Sequence, residues 1–298
     1  MEKQRRARER KKVLVGLAFL LPNFIGFLIF TLLPVISSLA LSFFGWDLIN
    51  PPQFAGFSNF AELFRNDPLF WKVMGNTALY TVMTVPGTLV MALILALLVN
   101  QKLRGRIVYR FIYFLPVVTS SVAVALVWNW MYNPDFGLVN SFLSLFGIPQ
   151  VNWLTDPNTA MFAISLVSVW SGAGYNMVLY LAGLQDIPQQ LYEACELDGA
   201  GAFQKFFSVT LPLLTPTTFF VLVMSLIGSF QVFDLVYMMT GGGPNNATRT
   251  IVSYIYDNAF RFFKMGYASA MAWVLFVIIF LLTLLQFRMQ KRWVEYYE

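Results

Sequence analysis

Two parts of this sequence carry polar side chains at spacings that could act on another molecule. The first runs from Gln185 to Pro212. Pro188 suits a first helical position and Gly199 suits the left-handed residue that ends a helix, which predicts a short helix of about ten residues. A second short helix fits Gly201 to Phe207. On the first, Leu191 and Cys195 share a face at i, i+4, while Glu193, Glu196 and Asp198 form an acidic edge. A helix this short is not stable alone, so it is expected to dock onto a partner, which is mechanical work rather than catalysis. The second part is a pair of polar interruptions in apolar segments: Trp170 to Asn176, containing Gly172 and Tyr175, and the small residues Ser225, Gly228 and Ser229. At about 1.5 Å per helical residue from Pro212, Ser225 and Ser229 lie about 20 Å and about 26 Å in. An aromatic face with hydroxyl and amide groups suits a polyhydroxylated ring, whose C–H face stacks and whose hydroxyls need partners. Small residues at i, i+3, i+4 in membrane helices more often serve the close approach of another helix. Asp234, the one acid inside an apolar segment, lies about 33 Å beyond Pro212, near an outer interface. It serves there either as a solvated or Arg-paired structural group or as a ligand contact.

Other chemistry is excluded by what the chain lacks. No phosphate loop of the form G-x-x-x-x-G-K-[ST] occurs, and no lysine follows Gly241 to Pro244. There is no G-x-S-x-G elbow, and with no histidine a zinc-protease motif is impossible. The single cysteine, Cys195, rules out an internal disulfide. An ion-coupled carrier needs charge-relay residues at mid-membrane, and an intramembrane enzyme needs a nucleophile and base there; only Asp234 is available. The chain is therefore read as not an enzyme, with no cofactor or metal of its own.

The elements that must position these groups are membrane helices. The 298 residues are 58% hydrophobic, 17% aromatic and only 12% charged, against about 25% charged in soluble domains. Six segments are long and apolar enough to span: Val13 to Leu33, extending toward Phe44, then Gly75 to Val99, Ile107 to Met131, Thr159 to Ala182, Leu213 to Met239 and Ala268 to Phe287. The first reads as an uncleaved anchor. This gives an all-α integral membrane fold with a basic segment at 1–12 and a six-helix domain at 13–298, of which 183–211 is a cytoplasmic loop. Of the 20 Lys and Arg, 15 fall on the side of the two termini, seven of them between Lys3 and Lys12. Both termini are therefore expected in the cytoplasm. The basic N-terminal run holds that topology or contacts lipid; nucleic acid is not an expected partner. The loop from Gly183 to Leu211 defies the charge rule, with one lysine against Asp186, Glu193, Glu196 and Asp198, so a protein partner is expected to explain it. Trp46, Trp71, Trp128, Trp130, Trp153 and Trp293 lie near span ends, as aromatic belts do.

Glu193-Ala194-Cys195, then Asp198-Gly199-Ala200 and Leu211-Pro212, resemble the cytoplasmic EAA loop of bacterial ABC importer permeases. The departure is Cys195, usually alanine in that motif. Asn76-Thr77, Trp153-Leu154, Asp156-Pro157, Leu181 to Gln185, Phe233-Asp234 and Thr240 to Pro244 look like the carbohydrate-uptake subfamily that imports maltose, oligosaccharides and glycerol 3-phosphate. The resemblance covers nearly the whole chain. It implies an inner-membrane permease fold and a role in coupling ATPase motion to alternating access. The expected assembly adds a second permease, two ATP-binding cassette subunits that hold ATP and Mg, and an extracytoplasmic solute-binding protein. It also implies coupling roles for Leu191, Glu193, Ala194, Gly199 and Phe207, and a sugar site at Gly172, Tyr175, Ser225 and Ser229. Gly228 and Val232 depart from that site, where an aromatic and an amide are expected, so a different sugar or a site on the second permease stays open. Another polar solute, such as glycerol 3-phosphate, is the alternative substrate, and an ion-coupled carrier the more distant one.

Overall fold

A computed structural model describes residues 2–101 and 105–295; Lys102 and Arg104, two of the basic residues that count toward the orientation, lie outside the described residues. In chain order, α1 (Glu2–Phe27) passes through a π-helical turn (Leu28–Leu32) into α2 (Leu33–Leu41). The short strands β1 (Phe44–Gly45) and β2 (Gln53–Phe54) lead to α3 (Ser58–Arg65), and α4 (Pro68–Asn100) comes after it. Then come α5 (Arg106–Val118), α6 (Ser121–Met131), α7 (Leu138–Ser144) and α8 (Ala160–Asp186). Next are α9 (Gln189–Leu197), α10 (Ala202–Lys205), a π turn (Phe206–Thr210), α11 (Leu211–Leu213) and α12 (Thr215–Phe230). The chain closes with α13 (Asp234–Thr240), α14 (Ile251–Tyr256), a π turn (Asp257–Arg261) and α15 (Met265–Gln290).

The chain divides into two compact units, one made of residues up to Asn66 with Ile255–Val274, the other of Asp67–Tyr254 with the segment from Leu275. In the first unit β1 and β2 pair antiparallel, Phe44 opposite Phe54 and Gly45 opposite Gln53. Asn59 locks this hairpin by donating to the carbonyls of Ser42 (2.9 Å) and Phe44 (3.0 Å). Gly266 packs so tightly that a Cβ there would run into the Phe44 carbonyl oxygen.

The second unit is built on α4 and α8. Asp67 caps α4 by accepting from the amides of Leu69 and Phe70, with Pro68 in the first turn. Inside α4 the hydroxyls of Thr77, Thr81 and Thr84 each donate to the carbonyl four residues back, at 2.7 to 2.8 Å. That satisfies polar groups buried in an otherwise apolar helix. One core cluster gathers Tyr80, Val124, Ile164, Val167 and Val236, and another gathers Ala96, Met177, Tyr180, Leu184, Leu214 and Val221. Gly174 lets α8 approach α5, because a Cβ there would strike the Tyr113 carbonyl.

Among the described residues four helical stretches are long and apolar enough to cross a membrane: Val15–Leu41, α4, α8 and α15. Two bent pairs raise that to as many as six if each is one span: α5 with α6, bent by 99°, and Ala202–Leu213 with α12, bent by 62°. The third and fifth segments, expected as continuous helices, are both interrupted: the third at the 99° bend, the fifth at Leu214, where the 62° bend falls, and again after Phe230. The third breaks at Thr119 and Ser120, which are extended with ψ of 139° and 133°. Pro116 removes the donor to the Ile112 carbonyl one turn earlier, and at the break the Thr119 amide turns to the Pro116 carbonyl (3.4 Å) while its hydroxyl takes the Leu115 carbonyl (2.9 Å). The fifth stops at Phe230, runs non-helically through Gln231–Phe233 and restarts as α13.

Candidate functional site

The two breaks in the second unit face a cavity of ≈ 450 Å³. Thr119 and Ser121 line it from the α5–α6 break, Gln231 to Asp234 from the α12–α13 break, and Ser168, Ser171, Gly172 and Tyr175 from the polar interruption of α8. Irregular backbone at membrane depth is tolerated where it borders such a cavity, because the freed amides and carbonyls then have polar surroundings.

The walls are fixed by hydrogen bonds. Tyr80, 4% exposed, donates its hydroxyl to Ser168 Oγ (2.8 Å), which in turn donates to the Ile164 carbonyl (2.9 Å). Ser171 donates to the Ser168 carbonyl, and the buried Asn176 amide donates back to the Gly172 carbonyl (3.1 Å). Tyr175 is 47% exposed, and its hydroxyl has no hydrogen-bond partner among the described residues. Asp234 opens α13 and accepts from the Ser121 hydroxyl at 3.2 Å. Among the described residues no lysine or arginine lines the cavity, and Asp234 is its one formal charge.

The structure brings Gly172 and Tyr175 into this cavity together, but not Ser225 and Ser229. Ser229 is buried and shares its proton between Thr81 Oγ1 (3.0 Å) and the Leu226 carbonyl (2.8 Å), so it sits in the contact of α12 with α4. Ser225 is partly exposed on the same helix. The groups that sequence reasoning missed are Ser121 and Gln231. Their signal was present in the Thr119-Ser120-Ser121 run after Pro116, and in the amide one residue past the end of α12.

The loop from α9 to α11 is a second candidate site. Gly199 has φ +80°, the left-handed conformation expected of it. Its amide bonds the Glu196 carbonyl (3.0 Å) and the Ala200 amide bonds the Cys195 carbonyl (2.9 Å), which completes a Schellman end. The Lys205–Glu196 ion pair (2.6 Å) ties α9 to α10, and the Tyr192–Thr210 hydroxyl contact (3.0 Å) ties it to the π turn beyond. Leu191 and Cys195 pack inward against the core, whereas Glu193, Ala194 and Phe207 are exposed. Two further apolar side chains, not expected from the sequence, stand out in solvent: Leu197, 91% exposed, and Phe203, 78% exposed. A rigid element that shows leucine and phenylalanine to solvent beside Glu193 is a surface made to be covered.

A family model described as binding-protein-dependent transport system inner membrane component matches residues 88–295. The probable ABC transporter permease protein YesP of Bacillus subtilis is 42% identical, over 96% of this chain and 94% of its own. The lactose transport system permease protein LacF of Rhizobium radiobacter is 39% identical, over 91% of this chain and 92% of its own. Among solved structures, the chain is similar to a subunit of a bacterial ABC transporter involved in import of the acidic polysaccharide alginate. The TM-score is 0.85 at 28% identity, covering 98% of this chain and 100% of that one. A bacterial alginate ABC transporter in complex with an alginate pentasaccharide-bound periplasmic protein matches at TM-score 0.83 and 27% identity, over 96% of both chains.

Proposed function

This chain belongs to the binding-protein-dependent transport system inner membrane components, and we propose that it carries a sugar or oligosaccharide through the membrane as one permease of an ATP-driven importer. It is a multi-pass membrane protein and a transport subunit, with the ATPase on a separate chain. In the proposed assembly a second permease and two ATP-binding cassette subunits, which hold ATP and Mg, join it in the bacterial inner membrane. An extracytoplasmic binding protein delivers the solute. Counting each bent pair as one span gives six, with both termini and the α9–α11 loop in the cytoplasm; the distribution of basic residues supports that orientation.

One observation carries the substrate reading: a cavity bounded by two broken helices that holds a free tyrosine, an amide and hydroxyls, with Asp234 as the one charge among its described residues. Hydroxyls and an amide satisfy the donors and acceptors of a sugar, and the Tyr175 ring offers a stacking face. A phosphate ester would meet a carboxylate with no lining cation to offset it, so the cavity favours a neutral solute. Glu193, Ala194, Gly199 and Phe207 couple the ATPases to this cavity from the exposed loop, with Leu191 anchoring α9 from beneath. Ser225 and Ser229 join the translocation route on α12 as the helices move.

Uptake tests the cavity. Tyr175→Ala and Gln231→Ala should each lower the uptake of labelled solute at subsaturating concentration while solute binding to the external protein stays unchanged. Wild-type uptake in both variants, correctly assembled, would remove the cavity from the pathway.

A further inference from the structure

We propose that the first unit carries a separate binding site for a neutral saccharide, at a cavity between the β1–β2 hairpin and the start of α15. The proposal rests on the reading that the solute is a sugar and that this loop faces the outside. The cavity holds ≈ 550 Å³, within the range of about 300–1,000 Å³ typical of small-molecule sites.

Its chemistry is that of a sugar site. The aromatic residues Trp46, Phe54 and Tyr267 line it together with Gln53, Glu62 and Lys264. Among the described residues Glu62 and Lys264 have no ion-pair or hydrogen-bond partner for their side chains, so an acceptor and a donor stand free at one opening. Sugar hydroxyls use both at once. Asp47 keeps its carboxylate low in pKa by accepting from the backbone and side chain of Asn50 and from the Ile49 amide. With Asp47 and Glu62 against Lys264 the lining carries one net negative charge, which disfavours acidic sugars.

The walls are built rather than incidental. The Met265 amide donates to the Trp46 carbonyl (2.9 Å), Asn59 pins the hairpin from behind, and Gly266 meets Phe44 at a distance that no other residue permits. A ligand therefore finds a preformed site, and little ordering has to accompany binding. Trp46, which its place near a span end assigns to the membrane belt, here lines a polar opening.

Saturation-transfer NMR on the full chain in lipid nanodiscs tests this, with maltose as the neutral probe and digalacturonate as the acidic one. Maltose should give a signal that weakens about fivefold in Lys264→Ala, which removes one hydrogen-bonding partner, and in Glu62→Gln, which replaces a charged acceptor by a weaker neutral one. Both side chains are unpaired, so neither variant should disturb folding; Trp46→Ala should remove the share of the signal that comes from this site and leave that of the transport cavity. Digalacturonate should bind about tenfold more weakly than maltose, through the net negative lining. Tyr175→Ala should leave the maltose signal at this site in place. A signal lost in Tyr175→Ala and unchanged in Glu62→Gln, Lys264→Ala and Trp46→Ala would overturn the second site and leave the transport cavity standing. No maltose signal in the wild-type chain would overturn both.

Discussion

Replacing Gly199 probes the coupling loop through the backbone alone. With φ at +80° and nothing within 4 Å of a Cβ placed there, a side chain at this position meets no neighbour, and strain is the only cost. Holding an L-residue in the left-handed region costs about 1–2 kcal/mol, with asparagine the most tolerant and β-branched residues the least. Opposing that strain are the two hydrogen bonds of the helix end, Gly199 to Glu196 (3.0 Å) and Ala200 to Cys195 (2.9 Å), worth about 0.5–1.5 kcal/mol each. Strain and bonds are of similar size, so valine should open the end of α9 in much of the population while asparagine leaves it closed. At about 2 kcal/mol of strain the closed form falls about 30-fold. The membrane core should be untouched, because Gly199 is exposed. The assay is affinity of the purified permease for its ATP-binding partner, with the order wild type, Gly199→Asn, Gly199→Ala, Gly199→Val from tightest to weakest. Wild-type affinity in Gly199→Val would refute the reasoning, as would equal loss in the asparagine and valine variants, since that would trace the effect to side-chain volume instead of φ.

The same geometry sets three further outcomes. Leu197→Asp should leave thermal unfolding unchanged, because the side chain is 91% exposed, yet weaken partner co-purification about tenfold or more through lost apolar burial. Gly174→Val should lower the unfolding temperature in detergent, because its side chain collides with the Tyr113 carbonyl and overpacking costs about 1–3 kcal/mol. In a Cys195→Ala background, Gly201→Cys should resist an impermeant thiol reagent added from outside intact cells; labelling from outside would reverse the orientation.

The parts of this protein legible in its sequence are the ones set by local chemistry. Pro188 and Gly199 bracket α9 because their conformational limits act within a few residues, and the apolar runs reveal spans because lipid leaves the backbone no other option. The breaks at Thr119–Ser120 and Gln231–Phe233 escape a hydropathy average, which runs smoothly across short uncharged interruptions, and are marked only residue by residue, by Pro116 with the hydroxyls after it and by the Gln231 amide. Ser229 is ambiguous for a different reason: its partner, Thr81, lies 148 residues away in the chain, and no periodicity within α12 could distinguish a helix contact from a cavity wall. Leu197 is concealed by its company, because a leucine four residues from Glu193 on a short helix reads as ready to pack inward, and only the folded loop turns it to solvent.

The central claim, that this chain is the permease of an ATP-driven sugar importer, meets its most direct test in proteoliposomes. The chain would be reconstituted with a second permease, two ATP-binding cassette subunits and the external binding protein loaded with a radiolabelled neutral oligosaccharide. The account predicts accumulation that needs both ATP and the binding protein and that does not respond to a proton or sodium gradient. Accumulation driven by an ion gradient without ATP, or ATP-driven uptake that proceeds without the binding protein, would contradict it.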